Sequence, residues 1–388
     1  MNTRPLYLDY HATTPVDPRV LDAMLPFFSE SFGNPASRQH AWGWEAEKAV
    51  DRARAQVAAL VNASAAEIIF TSGATESNNL ALRGMAERLR DRGQRIVTIA
   101  TEHKSVLDTC ARLRDRGFDV AVVGVTPEGY VDMDAFRAAV TPGTILVSAM
   151  AANNEIGTVQ DLAALARVAH AAGALFHTDA AQGAGKVPID VVAMDVDLLS
   201  LTAHKFYGPK GCGALFVRKM KPKLLPVAQV DGGGHEHGVR SGTLNVPGIV
   251  GLGAAAELCQ REMAVESVRL AALRDRLLGH LRTSLDGVRV NGTLERRLPH
   301  NLHISFDRVE GEALLMALGD IAVSTGSACS SGSQAPSHVL KAIGAIGDRG
   351  GASIRFGLGR TTSEQDVDFA ARRVIDVVTS LRRTLASA

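Results

Sequence analysis

The segment EIIFTSGATESNNLALRGMAERL, residues 67–89, decides the fold class. It opens with a short apolar, β-branched run, which is typical of a buried strand. After the glycine at position 73, Leu82, Met85 and Leu89 recur at helical spacing and form one apolar stripe. A strand, a glycine turn and an amphipathic helix in this order predict a βα unit of a parallel sheet.

The same alternation continues outward from this segment. Further short apolar runs are RIVTIA (95–100), VAVVGV (120–125), TILVSAM (144–150), ALFHT (174–178) and DLLSLT (197–202). Helix-like segments separate most of these runs, as crossover connections between parallel strands require. The sequence therefore predicts an α/β fold with a mostly parallel central sheet and helices on both faces.

The pattern changes near residue 255, where a second unit begins. A long helix is predicted there because Leu270, Leu273, Leu277 and Leu281 fall on one face. Alternating strand residues, the strand ASIRF and a final helix after Thr362 follow. We expect an N-terminal segment (1–15) that packs with the small domain, a large domain (16–255), and a smaller C-terminal α/β domain (256–388).

Composition and charge limit the classes of partner. The chain has 388 residues, of which 46% are hydrophobic and 21% charged, as in ordinary folded proteins. Its formal net charge is +1, from 42 Lys and Arg against 41 Asp and Glu, which argues against nucleic acid or a membrane surface as a partner. The start lacks the pattern of a secretion signal, and no apolar stretch is long enough for a membrane span. The four cysteines contain no CxxC pair. We expect a cytoplasmic protein in a reducing compartment.

Polar side chains gather where the predicted strands end. These are Gly73, Ala74 and Thr75; Thr101, Glu102 and His103; Asn153 and Asn154; Asp179 with Gln182; and Ala203, His204 and Lys205. Parallel strands bring their carboxyl ends to one crevice, where ligands bind. A lysine that forms a Schiff base, a carboxylate for a pyridine nitrogen and a helix N-terminus for a phosphate are what pyridoxal phosphate requires.

The chain resembles the group I cysteine desulfurases of the NifS/IscS class, which are fold-type I pyridoxal-phosphate enzymes of the class V aminotransferase family. The resemblance runs through YLDYHATTPVDPRV, FGNPAS, FTSGATESNN, TEHKSVLDTC, NNEIG, HTDAAQ, AHKFYGPKG, GGGHE, RSGT, STGSACSS and SIRFGLGR. It covers nearly the whole chain, and the ordered combination is highly specific. It implies the fold of a pyridoxal-phosphate-dependent transferase.

The resemblance also implies residue roles. Lys205 corresponds to the Schiff-base lysine, and His103 to the residue that stacks on the pyridine ring and acts in acid–base chemistry. Asp179 would pair with the pyridine nitrogen and Gln182 with the phenolic oxygen. The remaining assignments are Ala74, Thr75, Thr202 and His204 at the phosphate, Thr243 at the phosphate from the other subunit of a homodimer, Asn154 at the cofactor and the substrate carboxylate, and Arg355 at that carboxylate.

Cys329 resembles the nucleophile of these enzymes. Its surroundings, STGSACSSGS, are small and polar, as a thiol requires if it must reach both a buried cofactor and an external acceptor. The resemblance implies that sulfur is removed from L-cysteine, that alanine is released, and that a persulfide forms on Cys329. Sulfur acceptors such as an iron-sulfur scaffold would then receive the sulfur.

Three departures from the family pattern stand out. Thr202-Ala203-His204 replaces a frequent Ser-Gly-His, and His237 occupies a position where Arg is common. His237 and His235 form an HxH pair, but no third ligand is evident, so no metal site is predicted. Housekeeping members carry a scaffold-docking tail, whereas this sequence ends at Ala388, soon after its last predicted helix.

Two alternative functions remain open at this point. One is a selenocysteine lyase or another class V enzyme acting on a small amino acid. The other is a sulfur-transfer scaffold within an assembly complex. The receiving pathway also stays open among iron-sulfur clusters, nitrogenase, tRNA thiolation, DNA modification and cofactor synthesis.

Overall fold

The computed structural model describes residues 4–325, 337–345 and 352–386. The first elements are β1 (Leu6–Tyr7), α1 (Pro18–Met24), α2 (Pro26–Ser29), α3 (Ala41–Leu60), β2 (Ile68–Thr71), α4 (Ala74–Arg88), β3 (Arg95–Ile99), α5 (Lys104–Asp115), β4 (Asp119–Val123), α6 (Met133–Ala139), β5 (Thr144–Ser148) and α7 (Leu162–Ala171). They are followed by β6 (Leu175–Asp179), β7 (Leu198–Thr202), β8 (Gly213–Val217), α8 (Val246–Ser284), β9 (Val288–Val290), β10 (Asn301–Phe306), α9 (Gly311–Ala317), β11 (Ile321–Ala322), α10 (His338–Ala342), β12 (Ala352–Gly357) and α11 (Glu364–Ala386).

The central sheet has seven strands in the order β2-β8-β7-β6-β5-β3-β4. All neighbouring pairs are parallel except those of β8, which runs antiparallel to both β2 and β7. The predicted α/β class with a mostly parallel sheet is confirmed, and each predicted strand run lies on one of its strands. The register pairs Gly213 with both Thr71 and Thr202, so the ends of β2 and β7 meet there.

Helix α4 is the crossover helix that the opening segment predicts. Leu82, Met85 and Leu89 are all buried, and they share one apolar cluster with Ile69 of β2 and Leu215 of β8. The apolar stripe read from the sequence is therefore the face that covers the sheet. This packing fixes the N-terminus of α4 beside the end of β2.

The C-terminal unit surrounds a three-stranded antiparallel sheet, β12-β10-β9. Its core combines the leucine face of the second half of α8 with strand residues Leu302, Ile304 and Phe306. Leu8 belongs to this core, and β1 pairs with β11. The predicted boundary at 255/256 falls inside the continuous helix α8, whose first half packs in the large core. The division into domains stays a prediction.

None of the helices in the described ranges combines the length and the apolar character that crossing a membrane requires.

Candidate active site

A cavity of about 600 Å³ opens at the carboxyl ends of the parallel strands. The predicted site residues that line it are Ala74, Thr75, His103, Asn154, Asp179, Gln182, Thr202, His204, Lys205 and Arg355. They come from strand ends and loops that are far apart in the chain. The expected convergence at one edge of the sheet therefore occurs.

One end of the cavity is formed by the N-terminus of α4. Its N-cap is Gly73, with φ +149°, so no side chain caps the first amides of the helix. A side chain at Gly213 would lie 2.6 Å from the Cα of Gly73, so glycine allows β8 to approach this turn. Uncapped amides at a helix N-terminus attract an anion. Ala74 and Thr75 carry the first of these amides and line the cavity.

Lys205 lies in a short 3₁₀ turn that follows β7, at Ala203–Lys205. Its Nζ donates hydrogen bonds to the carbonyl oxygens of His11 at 2.5 Å and Ala12 at 2.9 Å. The N-terminal segment therefore holds the amine from one side while the side chain lines the cavity.

Asp179 is the last residue of β6 and is almost fully buried. Its Oδ2 accepts a hydrogen bond from Asn78 Nδ2 at 2.7 Å, and its Oδ1 accepts one from the Ala181 amide at 2.9 Å. Asn78 also donates to Ser105 Oγ at 2.9 Å. The carboxylate is thus held in one orientation by groups from two helices and a loop, as an acceptor aimed at a fixed point requires.

His103 caps the N-terminus of α5, the helix that carries Ser105. Its Nδ1 accepts a hydrogen bond from the Ser105 amide at 3.1 Å. Because a backbone N–H can only donate, the proton of the neutral ring lies on Nε2. The preceding residue, Glu102, is fully buried, and burial together with the Asp179 charge raises the pKa of its carboxyl well above the usual range. The surroundings of Glu102 therefore favour its uncharged form.

His204 directly precedes the lysine and also lines the cavity. Burial and the positive charges of Lys205 and Lys210 lower the pKa of His204 to about 4. Its Nδ1 is 3.2 Å from Thr13 Oγ1. At neutral pH it therefore offers an uncharged ring to a bound anion.

Arg355 forms the opposite end of the cavity. It is buried on β12, where one terminal nitrogen donates to Asp9 Oδ1 at 2.7 Å and the other to the Asn154 carbonyl oxygen at 2.9 Å. The two residues predicted to bind a substrate carboxylate, Asn154 and Arg355, are therefore in direct contact. A guanidinium held in this way presents a planar fork that matches a carboxylate.

The other two predicted site residues are Cys329 and Thr243. Cys329 lies outside the described residues. Thr243 is exposed and does not line the cavity of the single chain. The prediction that it acts from another subunit is not tested by one chain.

The other three cysteines are buried thiols. Burial raises the pKa of Cys110 to about 12 and that of Cys212 to about 11, and it also raises the pKa of Cys259. Thiols with raised pKa values are poor nucleophiles near pH 7.

The HxH pair lies beside a second cavity of about 720 Å³. His235 Nδ1 accepts a hydrogen bond from the Gly242 amide at 3.3 Å. Throughout the described ranges, no three His, Cys, Asp or Glu side chains converge as a metal site would need.

Several residues that hold the site together are not evident from the sequence patterns. Asp9 pairs with Arg355, Asn78 holds Asp179, and His11 contacts Gln182. The signal for two of them is present in the sequence, because DYHATT (9–14) is a polar run directly after the strand-like YL. Their partners are distant in the chain, so no spacing rule identifies the pairs.

The donor set of the cavity fits pyridoxal phosphate. Uncapped helix amides with Thr75, Thr202 and His204 suit a phosphate, and an oriented carboxylate suits a protonated ring nitrogen. An amine at the end of a buried strand suits covalent attachment to an aldehyde.

Comparisons with known proteins agree with this geometry. Residues 6–369 match the model of the aminotransferase class-V family. A cysteine desulfurase IscS of Anaeromyxobacter sp. (strain K) is 56% identical over 378 residues, which is 97% of this chain and 93% of that protein.

Solved structures resemble the chain over most of its length. A NifS-like protein superposes with a TM-score of 0.90 at 38% identity, covering 97% of this chain and 100% of the other. The protein SspA, solved in complex with cysteine, has a TM-score of 0.79 at 36% identity, covering 91% of this chain and 98% of the other. The chain therefore belongs to the aminotransferase class-V family, within its cysteine desulfurases of the NifS/IscS class, and is a pyridoxal-phosphate-dependent enzyme.

Proposed function

We propose that this enzyme transfers the sulfur of L-cysteine to Cys329 as a persulfide and releases L-alanine. The observation that supports this most directly is the gathering of Lys205, Asp179 and Arg355 around one cavity. The bound cofactor supplies an electron sink for the bonds at the substrate Cα. The protein side chains hold the reactants and move the protons.

The residues at the sheet edge are proposed to hold the cofactor. Lys205 binds it covalently, Asp179 pairs with the pyridine nitrogen, and Gln182 donates to the phenolic oxygen. His103 stacks on the ring, with the proton of its neutral form on Nε2. The phosphate is bound by Ala74, Thr75, Thr202 and His204, with Thr243 added from a second subunit.

The residues at the opposite end are proposed to bind the substrate. Arg355 takes the carboxylate of L-cysteine with its planar fork, and Asn154 contacts both the carboxylate and the cofactor. Lys205, once released from the cofactor, accepts the proton from the substrate Cα. The carboxylate contact fixes which bond at Cα faces the lysine.

The sulfur step is assigned to Cys329. Its thiolate forms an S–S bond to the substrate sulfur while the Cβ–S bond breaks. The electron pair leaves with the carbon fragment, which takes up one proton at Cβ, regains a proton at Cα from Lys205, and becomes alanine. The raised pKa values and burial of the other cysteines support this assignment, since Cys110, Cys212 and Cys259 offer little thiolate near pH 7.

The test is an assay of alanine and sulfide from L-cysteine in the presence of a reductant. Cys329→Ala should reduce both products to background, while L-cysteine still changes the visible spectrum of the cofactor. Cys110→Ala, Cys212→Ala and Cys259→Ala are the controls and should retain turnover. Retained turnover in Cys329→Ala would contradict the mechanism. Preference for selenocysteine would favour a lyase, and no turnover in the unaltered enzyme would favour a scaffold.

A homodimer is part of the proposal. Apolar side chains near the N-terminus are exposed in the single chain: Leu25 at 52%, Phe28 at 61%, Phe32 at 64%, Trp42 at 49% and Trp44 at 56%. The rings of Phe32 and Trp42 are in contact, with centroids 5.0 Å apart. Clustered exposed aromatic residues are typical of an interface between subunits. Sedimentation should show a dimer, and a stable monomer that still holds cofactor would contradict it.

We further propose that a cytoplasmic sulfur acceptor, such as an iron-sulfur scaffold, receives the sulfur. The similarity to a protein named IscS supports this class of acceptor. Transfer of radioactive sulfur from labelled L-cysteine to a purified scaffold protein would test it. A matched scaffold without its cysteines should remain unlabelled.

A further inference from the structure

His11 lies at a junction of three parts of the chain. Its buried ring has Nδ1 3.0 Å from Gln182 Oε1 and Nε2 3.0 Å from Asn301 Nδ2. The ring stacks on His300, with centroids 4.3 Å apart. The N-terminal segment, strand β10 and the loop after β6 therefore meet at one imidazole.

The direction of these hydrogen bonds is set by a buried arginine. Arg297 Nε donates to the side-chain oxygen Oδ1 of Asn301 at 3.0 Å. Because a guanidinium can only donate, the amide of Asn301 must turn its oxygen toward Arg297 and its nitrogen away. That nitrogen donates to the carbonyl oxygen of Glu155 at 2.9 Å and to Nε2 of His11.

The fixed order of donors and acceptors continues through His11 to the cavity. Since Nε2 accepts from Asn301, the proton of the neutral ring lies on Nδ1, which donates to Gln182 Oε1. The amide of Gln182 then turns its nitrogen the other way, where one hydrogen bonds to the carbonyl oxygen of His11 at 3.1 Å. The second hydrogen is left for a ligand in the cavity that Gln182 lines.

We propose that His11 is a positioning residue that makes Gln182 a hydrogen-bond donor to the phenolic oxygen of the cofactor. Asn301 and Arg297 set the tautomer of His11, and His11 sets the orientation of the Gln182 amide. The inference rests on the proposed contact between Gln182 and the cofactor. It adds residues from the N-terminal segment and the C-terminal unit to a site otherwise formed at the sheet edge.

The charges around His11 keep the ring in one form. Burial and the positive charges of Arg355, Lys205 and Lys186 hold the pKa of His11 well below its usual value. The stacked His300 is also buried, and burial together with His11, Lys186 and Arg355 lowers its pKa. The surroundings therefore favour the neutral form of both rings, and the hydrogen bond from Asn301 selects the tautomer of His11.

The stacked pair provides a matched experiment on the loaded enzyme. His11→Phe and His300→Phe each keep a flat ring in the stack, but only His11→Phe removes the bond to Gln182. Loss of one neutral hydrogen bond, worth about 1 kcal/mol, should raise the pH midpoint of the cofactor's visible absorbance by about 0.7 unit. The same loss should weaken cofactor binding by about fivefold. His300→Phe should move neither quantity, and equal shifts in the two variants would overturn the inference.

Two further measurements decide the matter if His11→Phe fails to fold. Asn301→Asp keeps the shape but replaces the donor to His11 with an acceptor, so the absorbance midpoint should rise in the same direction. Nitrogen NMR of the labelled apo-protein should show His11 protonated on Nδ1 and not on Nε2. An unshifted midpoint in Asn301→Asp, or a proton on Nε2, would overturn the inference.

The variant Gln182→Leu separates this inference from the proposed function. If Gln182→Leu leaves the absorbance midpoint unchanged, the proposed contact with the phenolic oxygen is wrong and the inference falls with it. If Gln182→Leu shifts the midpoint and His11→Phe does not, the contact stands and only the positioning role of His11 is wrong.

Discussion

The two ends of the cavity are constructed in different ways. The end at Asp179 and Lys205 is formed where neighbouring strands of one sheet stop, at the ends of β6 and β7. The end at Arg355 depends on an ion pair with Asp9, 346 residues away in the sequence, and on the loop carbonyl of Asn154. One end follows from sheet topology, and the other requires that separate parts of the chain pack together.

Because of this difference, we expect one end to position the cofactor and the other to bind the substrate. The sheet edge provides a rigid position for a resident cofactor, because Asp179 ends a strand that is paired in the sheet and Lys205 follows directly after the neighbouring strand. The Arg355 end joins the N-terminal segment, the C-terminal unit and the large sheet, so packing among them can set substrate binding. Changes at the two ends should therefore affect different measurements.

The largest effect is expected for Lys205→Ala, which removes the only point of covalent attachment that we propose. Mass spectrometry after borohydride reduction should find no cofactor bound to the protein. Lys210→Ala is the matched control, since Lys210 also lines the cavity, and it should retain full labelling. Labelling of the Lys205→Ala variant on another lysine would remove Lys205 from its role.

Asp179→Asn comes next, because it keeps the shape of the side chain and removes the charge that faces the cofactor. Turnover should fall by about 100-fold or more, as for other losses of electrostatic stabilisation at a reacting centre. Asn78→Ala removes one hydrogen bond to this carboxylate but not its charge, and should cost only about fivefold. Equal losses of turnover in the two variants would show that the negative charge of Asp179 does not contribute to turnover.

Arg355→Lys tests the other end of the cavity. It keeps the positive charge but loses the planar fork, so the dissociation constant of L-cysteine should rise about 10- to 100-fold. Cofactor content should not change, in contrast to the lysine variant. Asp9→Asn keeps the arginine but weakens its orientation, and a smaller rise is expected in a spectroscopic titration with L-cysteine. Loss of cofactor from Arg355→Lys would show that the two ends are not separate.

The smallest effect concerns stability, with one buried histidine near each end. His177 lies two residues before Asp179, and His303 pairs with Arg355 across the small sheet. Burial lowers the pKa of each to about 3. The unfolded chain therefore binds more protons than the folded one below about pH 6.5, so stability is lost as the pH falls from there toward 3.

At pH 5 each histidine should cost about 2 kcal/mol relative to pH 7, from 1.5 pH units at about 1.4 kcal/mol per unit. Urea unfolding of the holoenzyme at both pH values measures this difference. His177→Gln and His303→Gln should each remove the part of this difference in unfolding free energy that its histidine contributes. An unchanged pH dependence in either variant would contradict the lowered pKa of that histidine.

The sheet edge could be predicted from the sequence, and the packing around it could not. The apolar run at 67–71 and the helical spacing of Leu82, Met85 and Leu89 predict a βα unit. Both patterns can be read from the sequence because they are local properties of the chain. The parallel direction of the strands in an α/β sheet then places Asp179 and Lys205 at one edge without further information. No local pattern says that Asp9 meets Arg355, because the pair forms only after β1, β10 and β12 are docked.

The sequence by itself therefore determined the fold class, the family and which residue types gather at the strand ends. The tertiary structure alone decided how those residues are oriented. Asn78 holds Asp179, and Asp9 pairs with Arg355. His11 accepts a hydrogen bond from Asn301 and donates one to Gln182, which orients the Gln182 amide. The physical reason is how far along the chain each kind of interaction reaches. Hydrophobic periodicity acts over a few neighbouring residues, whereas the direction of a side-chain hydrogen bond depends on partners that only the folded chain brings within about 3 Å.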